Sequence, residues 1–123
     1  MSTDSLVLAI IGHLVGDYLL QNDWMAMKKK SNPMVAVCHA YIWTASVTLF
    51  SGWLLIPEGR GAFVALALLV THFFQDHTMI VQRWMRFIGQ EEFSKPPLAP
   101  WSVIVVDNVW HIVTLWAVWR WIA

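Results

Sequence analysis

Four stretches of this chain, residues 6–21, 34–56, 61–82 and 101–122, hold no lysine or arginine apart from Arg120 near the last end. An α-helix needs roughly 20 apolar residues to cross a bilayer core, so the last three are of spanning length. The first is short and must borrow from residues 22–27 or thin the membrane locally. Hydrophobic residues make up 58% of the 123 positions and charged residues only 13%, which leaves few polar faces for a water-soluble helical domain. The expected fold is all-α: one domain over residues 1–123, a four-helix transmembrane bundle spanning at about 6–21, 34–56, 61–82 and 101–122.

The first stretch lacks the basic start of a secretion signal, carries Asp4 instead, and interrupts its apolar run with His13 and Asp17. It is expected to stay in the mature protein. Cys38 is the only cysteine, so no internal disulfide forms, and a small thiol in a span is read as packing rather than as a ligand. A formal net charge of zero gives no sign of a nucleic-acid partner.

Orientation follows from the basic residues. The first loop carries Lys28, Lys29 and Lys30 and the third carries Arg83, Arg86 and Lys95, whereas the second offers only Arg60 beside Glu58. By the positive-inside tendency, loops one and three face the cytoplasm and both termini lie outside, on the periplasmic side of a bacterial inner membrane. Trp24, Trp53, Trp84, Trp101, Trp119 and Trp121 sit near span ends, where an indole anchors in the headgroup layer. In the third loop, Trp84, Met85, Phe87 and Ile88 suit an interfacial helix end, and Pro96, Pro97 and Pro100 suit turns.

Three spans carry a histidine and an aspartate one helical turn apart: His13 and Asp17, His72 and Asp76, Asp107 and His111. Span two adds His39. Ionisable groups inside a membrane are costly and mark functional sites by default. The order of the pairs matters. Spans one and three run from outside to inside, which sets Asp17 and Asp76 about 6 Å closer to the cytoplasm than His13 and His72. Span four runs the other way, so its aspartate joins that layer only if it precedes its histidine, and Asp107 does precede His111. The expected result is three histidines in one layer, with three aspartates and His39 one turn below.

Positions three or four apart share a helix face. Gln21, Gln75 and Asn108 therefore accompany the pairs, as amides suited to orienting ligands by hydrogen bonds. Gly12 and Gly16 form a small-x-x-x-small pair that lets a neighbouring helix come close. His77 lies off the face of His72 and Asp76 and is read as loop-facing or packing.

Three ionised carboxylates inside a bilayer need positive partners, and no lysine or arginine lies deep within a span to supply them. A bound cation answers this. Imidazole with carboxylate suits divalent transition metals, zinc foremost, and His13, Asp17, His39, His72, Asp76, Asp107 and His111 are enough for one or two ions with positions left open. Open positions permit hydrolysis, with one of Asp17, Asp76 and Asp107 as general base. Lys28, Lys29 and Lys30, at the cytoplasmic mouth, are suited to attracting an anionic lipid head group. No serine or cysteine triad competes with this reading. The expected activity is a membrane-embedded metal-dependent hydrolase acting on a lipid or other membrane-associated ester, a phosphoester among them.

Two alternatives use the same residues. One is a metal-ion or proton transporter or channel, which the apolar outer halves of the spans disfavour unless a homo-oligomer lines the pore. The other is a non-catalytic membrane subunit with a structural metal site, or with a His/Asp core that only ties its helices together.

The run His13-Leu14-Val15-Gly16-Asp17-Tyr18-Leu19-Leu20-Gln21, followed by Trp24, Lys28, His39, His72, Asp76, Asp107, Asn108 and His111, resembles a family of small bacterial and phage integral membrane proteins of unknown function. The resemblance covers nearly the whole chain. Family members often have glutamine at the place of Asn108, which keeps an amide, and a basic residue at the place of Met79, which this chain lacks. Related small membrane proteins with His/Asp-rich spans are regarded as metal-dependent hydrolases, so the resemblance implies the same chemistry by analogy.

Overall fold

The computed structural model describes residues 2–121, and among these there is no β-strand. Helix α1, Thr3–Leu14, runs on into a π-helical turn, Val15–Leu19. The short α2, Asp23–Lys28, follows, then α3, Pro33–Ser51, α4, Arg60–His77, α5, Ile80–Phe87, and α6, Trp101–Trp121. Helices α1, α3, α4 and α6 pack in turn, α1 on α3, α3 on α4, α4 on α6, and α6 back on α1.

Local chemistry sets the breaks. Asn22 accepts a hydrogen bond from the Met25 N–H and so starts α2 as a separate helix; residues 22–27 therefore do not extend the first span. Asn32 caps α3 by accepting from Met34 and Val35 N–H, and Pro33 takes the first helical position, where its missing donor costs nothing. Gly52, at φ 70°, ends α3 five residues before the expected boundary at Ile56, and Trp53–Leu55 continue as a 3-10 turn.

The expected third span is divided. Helix α4 stops at His77, and α5 turns away from it by 67°. By length and composition two helices, Pro33–Ser51 and Trp101–Trp121, can cross a membrane, and α4 with α5 makes a third if the bent pair is one span. Ile122, the expected end of the fourth span, lies outside the described residues.

Gly12 and Gly16 explain the closest helix contact. A Cβ on Gly12 would lie 2.8 Å from the Ser46 carbonyl oxygen and the Val47 Cα, and one on Gly16 would lie 2.9 Å from the Trp43 ring. Ser46 uses the proximity to donate its hydroxyl to the Gly12 carbonyl at 2.8 Å.

Burial is reversed relative to a water-soluble domain. Leu49 is 76% exposed, and Phe63, Phe74 and Val105 also face outward, whereas His13, His39, His72 and His111 are completely enclosed. At one end the interior is apolar, built from Ala9, Trp43, Val47, Val64, Leu68, Leu115 and Val118. At the other it is the His/Asp cluster.

Candidate metal centre

Four elements bring the cluster together. Asp17 lies in the π-helical turn, which the Leu20 N–H closes on the Val15 carbonyl at 3.0 Å; such turns often occur at functional sites. His39 comes from α3, His72 and Asp76 from α4, Asp107 and His111 from α6. Asp76 is at the centre. Its Oδ2 lies 3.0 Å from His39 Nε2 and 3.3 Å from His72 Nε2, and its Oδ1 lies 3.2 Å from His111 Nε2.

Two groups offer ligand atoms all within 4.8 Å of one another: Asp17, His39, His72 and Asp76, and then Asp76, Asp107 and His111. In the first, His39 Nε2 and His72 Nε2 are 3.1 Å apart, and they stand 3.1 Å and 3.6 Å from Asp17 Oδ1. An ion that holds nitrogen and oxygen ligands tetrahedrally at about 2.0–2.1 Å spaces them about 3.3 Å apart, so this donor set fits a divalent transition metal. The outer nitrogens of the three rings are idle: Nδ1 of His39, His72 and His111 is buried with no hydrogen-bond partner among the described residues.

His13 stands apart from both groups, although its ring lies 5.4 Å from that of His111. Trp43 donates its indole N–H to His13 Nδ1 at 3.0 Å, and Asn108 Oδ1 lies 3.0 Å from His13 Nε2. An indole only donates, so Nδ1 is the accepting nitrogen and Nε2 carries the hydrogen given to Asn108. The approach of Asp17 Oδ2 to that same Nδ1, at 3.2 Å, is then a contact between two acceptors. A cation on Asp17 would relieve it. Trp43 also stacks on His72, with centroids 4.0 Å apart and planes 13° from parallel, which fixes the imidazole's tilt.

The amides sit differently from one another. Asn108 orients His13 and donates to the Tyr18 hydroxyl and, at 2.8 Å, to the Ile104 carbonyl. Gln21 donates to the Asp17 backbone carbonyl at 3.2 Å. Gln75 is turned away from the cluster and donates to Thr114 Oγ1 at 2.7 Å. Cys38 is exposed and outside both groups.

No lysine or arginine within a span was expected to balance the carboxylates, and the correction is that one from the first loop does. Lys29 Nζ lies 2.6 Å from Asp76 Oδ2. Its neighbour Lys30 donates to the backbone carbonyls of Asp76, at 2.9 Å, and Thr78, at 3.3 Å, capping α4 where the chain bends. Desolvation there pushes the Lys30 ammonium below the usual lysine range. His77, read as loop-facing or packing, donates from Nδ1 to the Lys29 carbonyl at 2.8 Å and stacks on Phe73, so it clasps the lysine loop to the bend.

A cavity of about 620 Å³ reaches the cluster from the side of this loop. Asp17, Asp76 and Asp107 lie along it together with Lys29 and Lys30, while Lys28 does not. The aspartate side chains grade from 2% exposed at Asp76 through 10% at Asp17 to 23% at Asp107, the one most open to a ligand. Such a site can hold a cation below and receive an anionic group from the lysine side.

One participant was not anticipated: Trp43, which follows His39 by four positions, hence on its face. Lys29 was expected at the site, but to attract a head group, and its pairing with Asp76 across 47 positions is a tertiary event with no local signature. No curated protein and no solved structure matches the chain. A family described as a protein of unknown function, DUF3307, matches residues 5–123, and the chain belongs to that family.

Proposed function

We propose that this protein is a membrane-embedded metal-dependent hydrolase acting on a lipid or other membrane-associated ester. The observation that carries this reading is the convergence of Asp17 Oδ1, His39 Nε2, His72 Nε2 and Asp76 Oδ2, buried and within 4.8 Å of one another, on a cavity that also meets Lys29 and Lys30. His39, His72, Asp17 and Asp76 hold a divalent transition ion, zinc being the best suited. When bound, such an ion polarises a phosphoryl or carbonyl oxygen and acidifies water.

The chain's own groups do the rest. Asp107, outside the four-residue group and the most exposed of the three cluster aspartates, takes the proton of the attacking water. His13, held by Trp43 and Asn108, buttresses the cluster. Lys29 releases Asp76 when a cation takes its place and, with Lys30, draws the anionic head group. In this reading the chain makes four spans in one domain of the bacterial inner membrane, both termini outside, with the lysine loop and the cavity mouth on the cytoplasmic side. Two features support it: the outward apolar surface, and the presence of the basic residues beside the cavity.

The apolar packing of Val47, Leu68, Leu115 and Val118 beyond the histidines speaks against a transporter, because a conduit needs polar groups to continue. The test is metal content and turnover measured together. Wild-type protein in liposomes is expected to retain stoichiometric metal and release product from a lipid phosphoester, and His72→Ala to lose both. Metal retained with cation flux and no turnover would favour the transporter; metal retained with neither would favour a structural site.

A further inference from the structure

The two ligand groups differ in a way that bears on which of them reacts. The first offers four protein donors, enough to fill a tetrahedral shell, so an ion there takes water or substrate only by expanding to five ligands. The second offers three, Asp76, Asp107 and His111, and three protein donors with an open position is the catalytic pattern. Its geometry is as tight as the first: His111 Nε2 lies 3.2 Å from Asp76 Oδ1 and 3.4 Å from Asp107 Oδ2. Each group presents two aspartates to the cavity, Asp17 with Asp76 in the first and Asp76 with Asp107 in the second, and Asp107 is the most exposed of the three.

Asp76 joins the groups. One oxygen faces His39 and His72 and the other faces His111, the arrangement of a carboxylate shared between two cations. We infer that the chain holds two divalent ions with Asp76 as their common ligand, the ion on Asp107 and His111 being the one that meets a phosphate group in the cavity. Asp107 ligates through one oxygen and keeps the other for the proton of the attacking water. This rests on the hydrolase reading and specifies its substrate as a phosphoester.

Charge supports that choice. Asp17, Asp76 and Asp107 carry three negative charges, and the first divalent ion, taking the place of Lys29 on Asp76, leaves one of them uncompensated. A second divalent ion leaves the cluster one charge positive, beside the ammonium groups of Lys29 and Lys30 in the cavity. That excess is unfavourable until a phosphate dianion offsets it, so the second ion binds more weakly than the first and phosphate tightens it. Two ions side by side clamp a phosphoryl group from both sides.

The experiment is a Mn²⁺ titration of the full chain in detergent, with stoichiometry by elemental analysis and the spin state by electron paramagnetic resonance. Wild type is expected to bind two ions per chain and show a coupled spectrum, with inorganic phosphate tightening the second at least about fivefold. Asp107→Asn and His111→Ala are expected to bind one ion and show an isolated six-line spectrum. The wild-type spectrum decides the matter even if a variant fails to fold. A single uncoupled ion in wild type overturns the shared site and leaves the one-ion hydrolase standing; a chain that binds no ion overturns both. Two ions indifferent to phosphate overturn the substrate assignment.

Discussion

Lys29 Nζ lies 2.6 Å from Asp76 Oδ2, so the most deeply buried carboxylate of the cluster meets a lysine from a loop as well as the three histidines around it. The ammonium occupies the flank from which a metal ion would also approach that oxygen. Lysine and metal are therefore competitors for one carboxylate, and the lysine's flexible stem lets it withdraw toward the cavity when it loses.

Removing Lys29 separates its two effects. With metal stripped by chelator, Lys29→Met leaves Asp76 as an uncompensated buried charge and is expected to cost about 3–5 kcal/mol of stability. With zinc added, the loss is expected to disappear, and zinc affinity to exceed that of wild type. Thermal unfolding with and without chelator measures both; equal destabilisation in the two conditions would mean that Lys29 and metal do not share the site.

Trp43→Phe keeps the ring over His72 but deletes the indole N–H that serves His13 Nδ1. An unpaired buried nitrogen costs about 1–3 kcal/mol, so a stability loss of that size is expected with metal stoichiometry unchanged. Loss of metal from this variant would instead place His13 among the ligands.

Gly12→Ala sets a methyl group 2.8 Å from backbone atoms of Ser46 and Val47, which cannot give way as a side-chain tip can. Overpacking of this kind costs about 1–3 kcal/mol. Unfolding in increasing detergent denaturant is expected to show it, accompanied by weaker metal binding as α1 moves Asp17 away from His39.

Cys38 reports on the membrane itself. It is the only cysteine, and it faces outward five residues into α3. A water-soluble maleimide is expected to leave it unlabelled in sealed vesicles and to label it after denaturation. In a Cys38→Ala background, Glu58→Cys is expected to react from the periplasmic side and Glu91→Cys only from the cytoplasmic side. Rapid labelling of Cys38 in intact vesicles would contradict its position in lipid.

What was legible in the sequence is what helix periodicity carries. The pairs His13 and Asp17, His72 and Asp76, and Asp107 and His111 are i, i+4 relationships, and the reversal in α6 brings Asp107 and His111 to Asp76 as antiparallel threading requires. Gly12 and Gly16 announced the α1–α3 contact for the same reason. The bend between α4 and α5 was not legible, because no proline or glycine marks Thr78 and Met79; the freed carbonyls of Asp76 and Thr78 are taken by Lys30, 46 and 48 residues away. His13 looked like a ligand because its spacing matches the others. Its separate role depends on Trp43 and Asn108, partners from two other helices whose rotamers no local pattern encodes.

The central claim is that His39 and His72 face a metal ion with Asp17 and Asp76, and zinc K-edge X-ray absorption on the zinc-loaded protein tests it most directly. The expected spectrum has a shell of nitrogen and oxygen at about 2.0 Å, no sulfur, and the outer-shell scattering of imidazole, diminished in His72→Ala. A spectrum of hydrated zinc without imidazole scattering, from protein that is folded and saturated, would contradict it.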